Sequence, residues 1–293
     1  MTTSFADKVR RLRGWEFLIS VIAIVCAFTL TTSSRLHIRP IPRVVVQVDA
    51  TTTIYARDPS IDLKKGAEQV PLWAAVVIYY ATPLVVHVVV QWCKPIAHDS
   101  RDFFLAIVQS TALTQLATNI AKVMAGRFRP SFYDMCGWDT TVVWNGVDNL
   151  CRDAKGEAEA RKSFPSGHSS GAFSTLFLLT LYLIGRNKLM AESTRAHRGA
   201  IESVLFFVAL VPTFVALWVA VTRSQDNWHH YSDILAGSVI GIVSAFCAYS
   251  LNYGSMFHYK TAGMPRDAIN EDKDKIPLHT QDVVELQSPR SAE

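Results

Sequence analysis

Charge is scarce in this chain of 293 residues. Only 18% of them are Asp, Glu, Lys or Arg, while 49% are hydrophobic, a balance too apolar for an ordinary soluble domain. Net charge is equally slight, since 29 basic and 25 acidic residues leave +4. The basic residues are divided among short loops, which excludes the concentrated basic face that nucleic acid requires. Cysteine is also sparse. Cys26, Cys93, Cys136, Cys151 and Cys247 form no Cys-x-x-Cys pair and no Cys/His pattern, which argues against zinc.

What the chain has instead is long apolar runs. Six of them, Trp15 to Thr32, Pro71 to Trp92, Phe103 to Ala125, Ser169 to Gly185, Ser203 to Val221 and Ile234 to Leu251, are each long enough to cross a hydrocarbon core of ~30 Å as a helix. Backbone polar groups must pair within the segment in lipid, so the spans are expected to be helical. The fold class is therefore all-α, an integral membrane bundle of six transmembrane helices in the bilayer. A set of buried helices in a soluble domain is the alternative, but such a domain rarely needs six runs of this length. The first run also has the small residues Thr31 to Ser34 behind it, as a cleaved signal peptide would, although its apolar stretch is long for one.

Sidedness follows from the cations. Lys8, Arg10, Arg11 and Arg13 precede the first run, and Arg186, Lys188, Arg195 and Arg198 follow the fourth. The positive-inside rule places both groups, and the loop with Lys94 and Arg101, in the cytosol. The expected organisation is a basic cytosolic N-terminus (1–14), a six-helix membrane domain (15–255) and a polar, disordered cytosolic tail (256–293). Ser288-Pro289 in that tail fits a phosphosite pattern too common to carry weight. The loops 33–70 and 126–168 then face the lumen or exterior, where disulfides are permitted. Cys136 and Cys151 share the second of these loops. They are either free thiols or a bridge, which would close about fifteen residues and contribute ~3 kcal/mol.

Three short polar stretches border the apolar runs, and all fall on this outer face. Charges at membrane edges are costly enough to mark functional sites. Lys122 and Arg129 are seven residues apart, two turns on a common helical face, with Pro130 where the helix should loosen. They suit phosphate oxygens, Arg129 with a bidentate fork; the alternative is a pair of interfacial cations snorkelling to head groups. Arg127 lies nearby and reads as peripheral. Pro165-Ser166-Gly167-His168 opens the fourth run. Ser166 is a good N-cap, Gly167 admits close approach of a ligand, and the first amides of the helix form an anion site with His168 at its rim. A plain capping turn is the competing reading, and Ser169 and Ser170 serve to start the helix. In the third stretch Arg223 precedes His229 by six residues and Asp233 follows it by four, placing carboxylate and imidazole on one helical face. Such a carboxylate fixes the imidazole tautomer and leaves the other nitrogen nucleophilic, or it only complements the helix dipole. His230 is the confounding neighbour, and Asp226 reads as a loop residue.

The spacing Lys122-x6-Arg129-Pro130, Pro165-Ser166-Gly167-His168 and Arg223-x5-His229-x3-Asp233 resembles the tripartite signature of the type 2 phosphatidic acid phosphatase superfamily. With six spans, the chain is similar to its eukaryotic lipid phosphate phosphatase branch. Thr222 stands where that family usually has Ser, which retains the hydroxyl. The resemblance implies that His229 attacks phosphorus to form a phosphohistidine, oriented by Asp233, and that His168 protonates the leaving alkoxide. Lys122, Arg129 and Arg223, with the amides near Ser166 and Gly167, would hold the phosphate oxygens. It also implies catalysis without a cofactor, magnesium included, on lipid phosphates: phosphatidate, lysophosphatidate, sphingoid base phosphates, diacylglycerol pyrophosphate and, by the same logic, polyprenyl diphosphates. A sphingolipid synthase, which moves a phospho-head group onto ceramide, and a non-catalytic lipid-binding relative are the competing functions. The intact Lys122-x6-Arg129-Pro130 and Pro165-Ser166-Gly167-His168 stretches disfavour the synthase, and the complete residue set disfavours the non-catalytic relative. Homo-oligomerisation, the preferred lipid and the organelle are left open by the sequence.

Overall fold

The computed structural model describes residues 13–33, 37–196 and 199–274. Six of its helices are long and apolar enough to cross a membrane. They are α1 (Gly14–Ser33), α2 (Leu72–Cys93), α3 (Asp99–Ala125), α5 (Gly167–Arg186), α6 (Ala200–Gln225) and α7 (Tyr231–Asn252). Between α1 and α2 lies an antiparallel hairpin of β1 (Arg43–Gln47) and β2 (Thr53–Arg57), with Arg43 opposite Arg57 and Gln47 opposite Thr53. A short helix, α4 (Ala154–Ala160), precedes α5, and α8 (Arg266–Asp274) follows α7. The fold is all-α in its membrane-spanning part, as composition implies.

Helix ends are where the apolar runs and the structure part. The third run begins at Phe103, yet α3 begins at Asp99. Its extra turn carries two fully buried carboxylates, which suit a helix N-terminus. Asp99 accepts from Tyr182 Oη at 2.7 Å and Tyr253 Oη at 2.9 Å, and Asp102 accepts from Arg101 Nε at 2.8 Å and Arg13 Nη1 at 3.2 Å. Partners such as these make a charged helix end affordable in the interior.

The centre of the bundle is α5, with 72% of its apolar window buried, against 11% for α1 at the periphery. One wide π turn, Phe173–Phe177, interrupts α5 and changes its backbone pairing. The Ser174 carbonyl in that turn accepts from Ser110 Oγ of α3 at 2.8 Å. Helix α7 lies in backbone contact with α5. A Cβ at Gly237 would sit 2.4 Å from the Ser166 carbonyl oxygen, and one at Gly241 would sit 2.5 Å from that of Ser170. Only glycine fits at both crossings. Helix α1 is tied to α3 by Asn119 Nδ2, which donates to the Ala27 carbonyl at 3.0 Å.

The α1–α2 loop, the segment from α3 to α5 and the α6–α7 loop meet at one end of the bundle and build a small lobe there. Its core is Ile61, Phe128, Phe132, Tyr133, Cys136 and Ala160. Arg161 lies over the Phe128 ring at 4.7 Å. Cys136 and Cys151 are joined by a disulfide, while Cys26, Cys93 and Cys247 are free.

At the other end the expected tail needs correction. Disorder was expected from residue 256, but Met256 and Ala262 are buried, Gly254 pairs with Ala262, and α8 continues to Asp274. Two arginines anchor this segment. Arg101 Nη2 bonds Asp267 Oδ2 at 2.6 Å, and Arg266 Nη2 donates to the Ser250 carbonyl at 2.7 Å. Polar composition concealed these long-range contacts. Residues 275–293, including Ser288-Pro289, lie outside the described residues, as do 1–12 and Arg198.

Candidate active site

The site forms where the lobe meets the ends of α3, α5, α6 and α7. Lys122 lies in the last turn of α3. Its Nζ is 3.7 Å from where a Cβ on Gly167 would be, so the ammonium stands over the opening turn of α5. Lys122 and Arg129 do not share a continuous helix, contrary to the seven-residue reading. Gly126 adopts φ +52° and its amide closes α3 onto the Lys122 carbonyl. Arg129 then enters from the loop, buried at 3% exposure. Its Nη2 bonds Glu159 Oε1 at 2.5 Å, its Nε donates to the Glu159 carbonyl at 3.0 Å, and its guanidinium lies 4.5 Å from the Trp228 ring centroid.

Ser166 is the N-cap of α5, accepting from the Ser169 amide at 3.3 Å. Its own amide is spent on the Asp233 carbonyl at 3.0 Å. The amides left available at this N-terminus are therefore those of Gly167 and His168, which have no intrahelical acceptor. The His168 carbonyl accepts from Tyr79 Oη at 2.9 Å. Its Nε2 is buried and has no hydrogen-bond partner among the described residues. Lys122, Arg129 and Arg223 are all close enough for their charges to act on that ring.

His229, 4% exposed, follows α6 in the loop to α7. Its Nδ1 is 2.7 Å from the Ser163 carbonyl. A carbonyl only accepts, so Nδ1 carries the proton and Nε2 holds the ring's lone pair. That Nε2 faces Arg129 Nη1 at 3.3 Å. Burial drives the His229 pKa down to about 3; Asp233 opposes the shift, and Arg129 and Lys122 add to it. The ring is thus neutral at physiological pH.

Asp233 is fully buried in the first turn of α7. Its Oδ1 accepts from Arg127 Nη1 at 2.6 Å, and its Oδ2 from Ser163 Oγ at 2.6 Å and the His230 amide at 3.0 Å. His229 Nδ1 lies 3.8 Å from Oδ2. Arg223, 1% exposed, bonds Asp226 Oδ2 at 2.8 Å and the Thr222 hydroxyl at 3.2 Å, with Glu68 Oε2 at 3.5 Å. The Thr222 hydroxyl thus has a partner of its own.

All eight residues singled out by spacing gather at this end of the bundle. Several neighbours were missed. Arg127 is no peripheral cation, since it grips Asp233. Asp226 is more than a loop residue: besides Arg223, it holds the amides of Gly66 and Gln69 through its carbonyl and carboxylate, each at 3.0 Å. The position of Asp226 three residues after Arg223 was a readable signal, as was Ser163 three before Ser166. Glu68 and Glu159 gave none, because only the folded lobe brings them in. Among the described residues no group of three or more His, Cys, Asp or Glu is placed to hold a metal ion.

Cations converging on a neutral, buried imidazole beside a helix N-terminus form an arrangement suited to a phosphate. Residues 103–256, which include the eight, match the family model described as PAP2 superfamily. Lipid phosphate phosphatase 2 of Arabidopsis thaliana is 31% identical over 250 residues, 83% of this chain and 79% of that protein. A PA-phosphatase related-family protein of Dictyostelium discoideum is 35% identical over 69% of this chain and 67% of its own length. A probable diacylglycerol pyrophosphate phosphatase 1 of Schizosaccharomyces pombe is 30% identical over 53% of this chain and 55% of its own. No solved structure matches. The chain belongs to the PAP2 superfamily, in its eukaryotic lipid phosphate phosphatase branch.

Proposed function

We propose that this protein hydrolyses the phosphomonoesters of amphiphilic lipids by way of a phosphohistidine. The observation that carries the reading is the His229 ring: its proton is committed to the Ser163 carbonyl, and its lone pair lies 3.3 Å from a phosphate-type ligand, Arg129. His229 Nε2 attacks phosphorus and the ester P–O bond breaks. His168 Nε2, which has no protein partner among the described residues, delivers a proton to the departing alkoxide. Lys122, Arg129, Arg223 and the Gly167 and His168 amides hold the equatorial oxygens as charge spreads over them. In the second step water attacks the phosphoenzyme, His168 takes its proton, and the P–N bond breaks to release phosphate. Asp233 keeps the His229 ring in its working tautomer.

These cations supply the charge neutralisation that a metal gives other phosphatases, which supports a magnesium-independent reaction. The substrates that fit are phosphatidate, lysophosphatidate, sphingoid base phosphates and diacylglycerol pyrophosphate, each able to offer its head group at the bilayer edge while its tails stay in lipid. The names of the curated relatives support the first and last of these. The site is read as lumenal or extracellular with cytosolic termini, on the distribution of Lys and Arg. The test is phosphate release from a panel of these lipids in vesicles. Wild-type protein should act on at least one, and His229→Ala on none; release by both alike would end the proposal.

A further inference from the structure

The carboxylate expected to orient the proposed nucleophile lies beside it but makes no hydrogen bond to it. Asp233 Oδ2 lies 3.8 Å from His229 Nδ1, beyond hydrogen-bond reach. Its oxygens have other partners: Oδ1 has Arg127, and Oδ2 has Ser163 Oγ, the His230 amide and, at 3.3 Å, His230 Nδ1. Three donors crowd Oδ2, the oxygen nearer His229.

Ser163 stands between the two. It is 0% exposed, and each of its polar groups is engaged. The hydroxyl donates to Asp233 Oδ2 at 2.6 Å, the carbonyl accepts from His229 Nδ1 at 2.7 Å, and the amide donates to the Arg127 carbonyl at 3.0 Å. Arg127 returns through its guanidinium to Asp233 Oδ1 at 2.6 Å. The result is a closed ring from Arg127 to Asp233 to Ser163 and back, with His229 attached through one carbonyl oxygen.

We propose that Ser163 is a positioning residue for the reaction, and that Asp233 orients His229 through it rather than by a direct hydrogen bond. Asp233 fixes the hydroxyl, the hydroxyl fixes the peptide, and the peptide carbonyl fixes the tautomer and tilt of the imidazole. The inference rests on His229 being the nucleophile. It goes beyond the residues that define the three signature stretches: Ser163 lies outside them, and Arg127 is one of the unspecified positions between Lys122 and Arg129.

The test is a double-mutant cycle on full-length protein in vesicles, with inorganic phosphate binding measured by calorimetry to count folded sites. Ser163→Ala should lower kcat per folded site about 10- to 100-fold, the range a hydrogen bond to a charged group spans. KM and the phosphate Kd should stay within about threefold, because the oxygen-holding cations are untouched. Ser163→Thr, which keeps the hydroxyl, should recover most of the loss. Ser163→Ala combined with Asp233→Asn should be no slower than Asp233→Asn alone within about twofold, since residues acting as a unit are non-additive. Wild-type kcat in Ser163→Ala, additive losses in the double variant, or kcat and phosphate binding falling together would each overturn the proposal. A folded Ser163→Thr as slow as Ser163→Ala would do the same. His229→Ala separates the two levels. If it stays active, the nucleophile assignment fails. If it is inactive while Ser163→Ala is at wild-type rate, only the role of Ser163 fails.

Discussion

Glu159→Gln should make this protein bind phosphate more tightly. Arg129, the cation nearest the His229 lone pair, is held by the Glu159 carboxylate at 2.5 Å. A phosphate oxygen seeking the same guanidinium must compete with it. The arginine side chain is 4% exposed but the glutamate is 47% exposed, so solvent screens the pair and its strength is that of a surface ion pair, up to about 1 kcal/mol. Removing that competition corresponds to about a fivefold gain at most. Glutamine keeps an oxygen for Arg129 Nη2, and the Glu159 carbonyl still accepts Nε at 3.0 Å, so the arginine stays in place. The expected result is a KM for lipid phosphate and a Ki for inorganic phosphate lowered about two- to fivefold, with kcat little changed. The difference from wild type should narrow as ionic strength rises. Vesicle assays at two salt concentrations, with phosphate as inhibitor, measure all of these. A raised KM in Glu159→Gln would refute the reasoning, because the carboxylate would then be orienting Arg129 and not competing for it.

Other expectations follow from the same geometry. His168→Ala should abolish turnover of lipid phosphates at normal membrane abundance; full activity in the purified variant would remove it from the mechanism. Hydrolysis should survive excess chelator, and strict loss would contradict charge neutralisation by side chains alone. The imidazole 15N signal of His229, assigned by its disappearance in His229→Gln, should not titrate between pH 7.5 and 5. Its pKa is depressed to about 3, so the neutral ring persists on acidification, and an inflection near 6.5 would show the ring is not buried as described. Cys136→Ser should lower the thermal midpoint of the purified protein, since the disulfide closes 15 residues of the lobe and such a loop is worth about 3 kcal/mol; an unchanged midpoint would mean the bridge constrains nothing.

Apolar length made the six spans legible, because about 20 uncharged residues in a row have few other uses. The helix ends were harder. Asp99 and Asp102 read as loop residues until Tyr182, Tyr253, Arg13 and Arg101 are seen to satisfy them. In the site, local spacing singled out residues that the fold brings to one end of the bundle, and it failed for their supports. Arg127 looked superfluous beside Arg129, and only the fold turns it towards α7. Glu68 and Glu159 sit 155 and 30 residues from the arginines they face, a separation over which no sequence period speaks. Residues 256–274 misled for the same reason: two long-range arginine contacts outweigh a polar composition.

Gly237 and Gly241 bear no functional group and lie within an apolar span. Yet a methyl at either would meet an α5 carbonyl oxygen at about 2.5 Å, a separation that real contacts do not tolerate. Helix α7 would have to lift away, and Asp233, one turn from Gly237, would leave the Ser166 amide with it. An inherited glycine-to-valine change there would pass for a conservative event in a lipid-facing helix. On the proposed mechanism it would disable phosphate chemistry while every residue assigned to that chemistry remained unaltered.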